Sequence, residues 1–373
     1  MTDPTRPGMV RMGYRQFAER LSRPNEKHRI PIKGGLELTL RCNLNCAHCH
    51  IHLPRYDKEA QDEELMYSEI CTLLDDSASA GCLWLLITGG EPLVRSDFAD
   101  IYAHAKRKGF LVTLFTNGTL LTEKLADHLQ EYSPHLVEIT LYGVTGQTHD
   151  RVTRSAGSFQ RSLRGIRLLQ ERHVPLGLKT TVTSVNHHEI RELERFARDL
   201  GASFRFDSVI TASLDGSQEA LKFRLTPEEV VDIDLADERR SAIYREFCRK
   251  SRGAPAIEGL YSCGAGLNNF HVDPYGQMSI CMNARWPSYD LRRGSLQEGF
   301  HTFFPRVRSQ TADQSFACGS CKLNSLCSNC PGQAYAEAGD QTAVVDYFCQ
   351  IARLRARAFG LKASMKGIEP RDR

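Results

Sequence analysis

Short apolar runs alternate with amphipathic stretches from about residue 35 to residue 210. The runs 36–40, 83–88, 110–116, 136–142, 176–183 and 204–210 read as strands. Between them, 68–78, 97–106, 123–131, 158–171 and 188–200 carry apolar residues at helical spacing. Strands joined by helices pair in parallel, because the crossover returns each strand in the same direction. Six such units predict an α/β fold. They could close part of a barrel or form an open doubly wound sheet, and periodicity alone does not choose.

Beyond residue 210 the rhythm changes. Residues 211–262 are a mixed, charged connection with helices expected over 227–236 and around 240–250. From Cys263 the strand–helix pattern stops. Asp273-Pro274-Tyr275-Gly276 reads as a tight turn inside a loop-rich region. The expected organisation is an N-terminal extension (1–33, with a short helical stretch near 14–21), the strand–helix domain (34–210), connecting helices (211–262), a cysteine-rich domain (263–349), and a helix from 350 to about 361 with its tail (350–373).

Composition narrows the function. The chain has 373 residues, 41% hydrophobic and 25% charged, with a net charge of +3. Neither value calls for nucleic acid or an anionic membrane as partner. No run approaches the roughly 18 apolar residues of a membrane span, and residues 1–10 contain no apolar signal core. A cytoplasmic location is expected, where thiols stay reduced. The 13 cysteines then read as metal or iron–sulfur ligands in preference to disulfides. Cys71 and Cys82, on a helix and beside a strand, read as small buried hydrophobes.

Parallel strands bind ligands at their C-terminal ends. There the chain places Cys42 after the first strand, Gly89-Gly90-Glu91-Pro92 after the second, Asn117-Gly118 after the third, and Thr140 to Gly143 at the end of the fourth. Cys42, Cys46 and Cys49 have the spacing C-x3-C-x2-C. Three thiolates on one loop can hold three irons of a cubane and leave the fourth open for a ligand. A structural zinc site is the alternative, with His48 or His50 as its fourth ligand.

The cysteine triad resembles the signature of the radical S-adenosylmethionine (SAM) superfamily, and Gly89-Gly90-Glu91-Pro92 resembles its GGEP motif. The resemblance implies a partial (β/α)6 TIM-type barrel. It implies a [4Fe-4S] cluster on Cys42, Cys46 and Cys49 whose open iron chelates SAM. It places His48 near the adenine and Gly89, Gly90 and Glu91 at the SAM amino group. Asn117, Thr140 and Lys179 fall where relatives contact the cofactor. Where relatives often carry Ser-Leu-Asp-Gly, this chain has Thr140-Leu141-Tyr142-Gly143, without the carboxylate.

The later cysteines resemble the SPASM extension. Cys263 and Cys281 flank Gly276, followed by Cys318, Cys321, Cys327, Cys330 and Cys349. The last gap has two residues where the family has three. The resemblance implies two auxiliary [4Fe-4S] clusters, three in all: an outer one on Cys318, Cys321, Cys327 and Cys349, and an inner one on Cys263, Cys281 and Cys330. A zinc ribbon also uses paired C-x2-C units, but seven cysteines suit two cubanes better. The eighth ligand is open, with Cys248 as candidate and His271 and Asp273 as weaker ones.

By this resemblance the chain modifies a ribosomally made peptide or protein, forming a crosslink or excising backbone tyramine. The implied partners are that substrate, an electron donor such as flavodoxin or ferredoxin, and a separate leader-peptide-binding protein, since 33 residues are too few for a leader-binding module. Haem-precursor decarboxylation and sulfatase-maturase-like oxidation are the enzymatic alternatives. An iron–sulfur electron-transfer protein is the non-enzymatic one.

Overall fold

The computed structural model describes residues 29–250, 259–311 and 316–360, together with Gln16. The stretch expected near 14–21 lies, Gln16 apart, outside the described residues, as does the tail beyond 360. One nine-stranded sheet organises the chain. Its strands are β1 (Lys33–Glu37), β4 (Trp84–Thr88), β5 (Leu111–Thr116), β6 (Leu136–Thr140), β7 (Leu176–Thr181), β8 (Ser203–Asp207), β9 (Asn269–Val272), β10 (Gln277–Ser279) and β11 (Tyr289–Asp290). Two short strands, β2 (Arg41–Cys42) and β3 (Leu53–Pro54), pair separately.

The sheet order is β11-β10-β9-β1-β4-β5-β6-β7-β8. From β1 to β8 every neighbouring pair is parallel. β8 does not pair with β1, so the six-stranded barrel is partial. Its alternation is visible in β5, where Val112 and Leu114 are fully buried. They join Val137 and Ile139 of β6 and helix residues Ile101, Leu129, Ile166 and Leu169 in one core. Each such side chain contributes roughly 1.5–3 kcal/mol by leaving water.

Where local signals were strong, expectation and structure coincide. Helices Glu123–Glu131, Ser158–Glu171 and Pro227–Ala236 have the expected bounds. Thr122 caps the first by accepting from Leu125 N at 3.2 Å. Thr226 and Glu229 form a reciprocal capping box on the third.

Three expectations are corrected. The first strand spans Lys33–Glu37, not 36–40. Its glycines bring the backbone against β9: a Cβ on Gly34 would sit 2.7 Å from the Phe270 ring. The sixth strand ends at Asp207, not 210. The region after Cys263 is not only loops. β9 pairs in parallel with β1 and turns back antiparallel into β10. The expected turn is present, with Gly276 at φ 84° and its N–H donating to Asp273 O at 3.2 Å. The barrel sheet thus runs on into the cysteine-rich region. Among the described residues no helix is long and apolar enough to cross a membrane.

Candidate radical site and auxiliary cysteine groups

Cys42 closes β2, and Cys46 and Cys49 follow in the loop to β3, at the C-terminal end of the parallel strands. Helix Gly146–Thr153, which the sequence reading did not anticipate, anchors it. Asn45 N donates to Thr153 O at 3.2 Å and Ala47 N to Val152 O at 2.9 Å. Cys49 N donates to Cys46 O at 3.1 Å, which curls the loop. Asn117 Nδ2 reaches Asn43 Oδ1 at 3.0 Å and Cys42 Sγ at 3.8 Å. Asn117 is therefore committed to the loop itself.

The three thiols are desolvated. Burial pushes the Cys42 thiol up to about 12, helped by Glu91 and Cys49. Burial, then Cys49 and Cys42, push Cys46 up as well. Burial also raises Cys49. Desolvated thiols that repel one another as anions ionise when a cationic metal centre compensates them. The donor set fits such a group, and Cys42, Cys46 and Cys49 would hold it.

The Gly-Gly-Glu-Pro turn has a clear local purpose. A Cβ on Gly89 would lie 2.2 Å from Thr39 O, and one on Gly90 2.4 Å from Leu40 O. Both glycines let the turn press on the backbone that enters the cysteine loop. Gly90 N donates to Thr39 O at 2.7 Å and Glu91 N to Arg41 O at 2.9 Å. Glu91 is fully buried. Its carboxylate accepts from Thr116 Oγ1 and Asn117 N, both at 2.7 Å, and from Leu93 N at 3.1 Å. Glu91 thus ties three strand ends together.

His48 is buried and its Nδ1 has no hydrogen-bond partner. Burial lowers its pKa to about 4, so the ring is neutral at pH 7. It packs edge-on against Tyr142, with ring centroids 5.0 Å apart. Thr140 and Lys179 are register partners on one sheet face. Lys179 Nζ sits 3.2 Å from the centre of the Phe115 ring. Burial, then Arg205, bring its pKa down to about 7.

The barrel interior carries charges that the sequence reading missed. Arg285 donates to Glu37 at 2.6 and 2.7 Å. His271 Nε2 lies 3.4 Å from the same carboxylate. Arg205 Nε donates to Glu138 at 2.7 Å. Glu37 and Glu138 interrupt otherwise apolar strands, and that interruption was the available signal.

The later cysteines form two electrostatic neighbourhoods. Cys330 feels Cys281 and Cys263. Cys327 feels Cys349, Cys318 and Cys321. Cys349 feels Cys318 and Cys321. Cys248 is buried in an apolar cluster with Leu323, Leu326, Ala352, Ala356 and Phe359, against which Cys327 packs. Cys82 is buried as expected, while Cys71 is half-buried.

Residues 36–200 match the model of the Radical SAM superfamily. The AdoMet-dependent heme synthase of Methanosarcina barkeri is 28% identical over 82% of this chain and 92% of its own length. The PqqA peptide cyclase of Rhodopseudomonas palustris is 28% identical over 88% of this chain and 89% of its own. Among solved structures, Streptococcus suis SuiB bound to S-adenosylmethionine superposes with a TM-score of 0.64 at 17% identity, covering 90% of this chain and 81% of that one. Its fold is shared. With the cysteine loop at the mouth of the partial barrel and the family match across its strands, residues 36–200 of this chain form a radical SAM domain.

Proposed function

We propose that the enzyme modifies a ribosomally synthesised peptide or protein by radical chemistry, forming a crosslink or excising backbone tyramine. The observation that carries this reading is the gathering of Cys42, Cys46 and Cys49 over a barrel whose sheet continues into a second cysteine region. Similarity to a peptide cyclase over 88% of the chain supports the substrate class. A [4Fe-4S] cluster on the three thiols, with SAM, would supply a 5′-deoxyadenosyl radical by reductive cleavage.

The chain's own residues do the rest. His48 and Tyr142 form an aromatic wall beside the loop, suited to an adenine. Thr140 and Lys179 face the barrel interior, where the ammonium of Lys179 can pair with the SAM carboxylate. Gly89, Gly90 and Glu91 hold the loop in place, and this turn would receive the ligand's amino end. Cys318, Cys321, Cys327 and Cys349 would hold an outer auxiliary cluster, and Cys263, Cys281 and Cys330 an inner one. A flavodoxin or ferredoxin would supply electrons, and a separate small protein would bind the leader peptide. The described cysteines are all free thiols, which fits a reducing compartment such as the cytoplasm.

A second reading, haem-precursor decarboxylation, is favoured by similarity to the heme synthase over nearly its whole length. Lys179 and Arg205, adjacent in the β7–β8 register, could meet propionate carboxylates.

Anaerobic reconstitution with dithionite and SAM should yield 5′-deoxyadenosine, and none would sink both readings. Co-expression with small neighbouring reading frames, followed by mass spectrometry, separates them. A peptide losing two hydrogens or tyramine supports the first. Carboxylate loss from a porphyrin substrate, with every peptide unchanged, supports the second.

A further inference from the structure

Tyr142 lies just beyond β6 and opens the turn into helix Gly146–Thr153. Its ring stands 5.0 Å from that of His48. The turn has no ladder to pair with, so its buried N–H groups need other acceptors. Glu189 takes two of them. Its carboxylate accepts from Val144 N at 2.7 Å and Thr145 N at 3.3 Å, and from the hydroxyls of Thr145 and Thr148. A Cβ on Gly143 would lie 2.8 Å from the same carboxylate, so the turn is pressed onto it. The Tyr142 N–H goes elsewhere: it donates to His149 Nδ1 at 3.2 Å.

That bond defines the state of His149. An Nδ1 that accepts carries no proton, so the neutral ring holds its proton on Nε2. Nε2 is buried without a hydrogen-bond partner among the described residues. Burial first, against Asp150 and with Arg161, brings the ring's pKa down to about 4, so it is neutral at pH 7. His149 is 1% exposed and packs between Tyr142 and Phe159, at ring centroid distances of 5.8 and 5.6 Å. An apolar ring would fill this space without stranding an N–H. What the imidazole adds is the Nδ1 acceptor. The same helix receives Asn45 N and Ala47 N on Thr153 O and Val152 O. One helix therefore holds the cysteine loop and Tyr142 in a single frame.

We propose that His149 is a positioning residue of the radical site: its Nδ1 fixes Tyr142 so that the phenol ring stands against His48. The inference rests on the reading of His48 and Tyr142 as the adenine wall. Without the acceptor, the Tyr142 N–H is freed, the turn loosens ahead of the part that Glu189 holds, and the wall no longer has one position. An asparagine at this place offers its amide oxygen where Nδ1 was. A phenylalanine keeps the ring and offers no acceptor.

The test uses the full chain, reconstituted anaerobically and left unreduced, as wild type, His149→Phe, His149→Asn and His149→Gln. Hydrogen exchange read by mass spectrometry should show the Tyr142 amide exchanging about tenfold faster in His149→Phe, with His149→Asn returning to within about twofold of wild type. Equilibrium dialysis compares SAM with methionine, which has the amino and carboxylate groups but no adenine. SAM should bind His149→Phe about tenfold more weakly, while methionine changes by less than about twofold. Unchanged exchange at Tyr142 in His149→Phe overturns the proposal. So does an equal loss of SAM and methionine, which is general damage to the site. Faster exchange with both affinities intact would remove the adenine wall on which the proposal rests, and the proposal with it. If His149→Phe fails to fold, His149→Gln, whose amide reaches past the Nδ1 position, takes its place with the same expected losses, and His149→Asn remains the rescue.

Discussion

Arg285 grips both carboxylate oxygens of Glu37, at 2.6 and 2.7 Å, across 248 positions of sequence. Glu37 ends β1, five residues before Cys42, and Arg285 follows Cys281 by four. Arg285 Nε also donates to Met282 O at 2.9 Å. The pair therefore fastens the approach to the radical loop onto the approach to the inner cysteine group. Its field reaches that loop, since His50 feels both Arg285 and Glu37.

This pair makes stability depend on pH in a predictable direction. Burial alone would raise the Glu37 pKa, but His271 and Arg285 hold it down at about 2. A carboxylate depressed in the folded state stabilises above its unfolded value of about 4.3 and loses that contribution as pH falls toward 2. The difference is worth roughly 3 kcal/mol. Glu37→Gln should lose that pH dependence and cost about 3–5 kcal/mol at pH 7, because Arg285 keeps a half-buried charge. Denaturant unfolding of the metal-free chain between pH 3 and 7 measures both. Parallel pH slopes for the two proteins would refute the assignment.

Lys179 predicts a second pH effect, on binding. Its pKa near 7 arises first from burial and then from Arg205, with Glu138 and Glu91 opposing. Below pH 7 the ammonium is charged and attracts a carboxylate. Above pH 7 it becomes neutral and the attraction fades. SAM affinity should fall by up to about tenfold between pH 7 and 8.5, or about 1.4 kcal/mol. Lys179→Met should bind about tenfold more weakly at pH 6.5 and show a flat profile. Equilibrium dialysis at fixed ionic strength reads both, and an unaltered slope in Lys179→Met would exclude this residue as the source.

The sequence made much of this arrangement legible, and the exceptions have physical causes. The crossover helices were readable because apolar spacing and caps such as Thr122 agree. The C-x3-C-x2-C triad was readable because its spacing is local, and residues 36–200 match the radical SAM family. β9 was not, because four residues, Asn269–Val272, become a strand only by pairing with β1 from far away in sequence. Helix Gly146–Thr153 was missed because it is polar. It buries Thr148, His149 and Thr153, and Thr145 caps its start. β1 was placed three residues late because Gly34 and Gly35 look like a turn but serve as contact surface for Phe270 and His271. The Glu37–Arg285 pair joins residues that no local pattern connects.

Gly90 tests whether the turn after β4 shapes the cysteine loop. A methyl group there would meet Leu40 O at 2.4 Å and Arg41 O at 2.6 Å, both backbone atoms that cannot swing aside. Gly90→Ala should displace residues 40–42 and lower iron incorporation at the radical site severalfold. Gly146→Ala is the control, since its nearest neighbour would be Phe159 Cδ1 at 3.7 Å, an ordinary contact. Iron per chain and the cluster absorbance after reconstitution compare them. Equal iron in both variants would show that the loop tolerates the shift.

The last prediction concerns Asp234 and Arg355, which couple the connecting helices to the outer cysteine group. Arg355 is 1% exposed, yet charged. Its Nε donates to Asp234 Oδ2 at 2.8 Å, and its Nη1 donates to Leu326 O at 3.0 Å and Ser328 Oγ at 3.1 Å. Leu326 and Ser328 flank Cys327, so one guanidinium ties helices Pro227–Ala236 and Asp346–Ala358 to that cysteine's loop. Asp234→Asn removes the buried countercharge and should destabilise this region by about 3–5 kcal/mol. The radical loop lies on separate elements, so its chemistry should persist. Asp234→Asn should therefore lose auxiliary iron while still cleaving SAM, with 5′-deoxyadenosine released without modified substrate. Iron counts paired with 5′-deoxyadenosine and product yields read this directly. Retention of full auxiliary iron, or equal loss of SAM cleavage, would show that Arg355 does not act on the outer group alone.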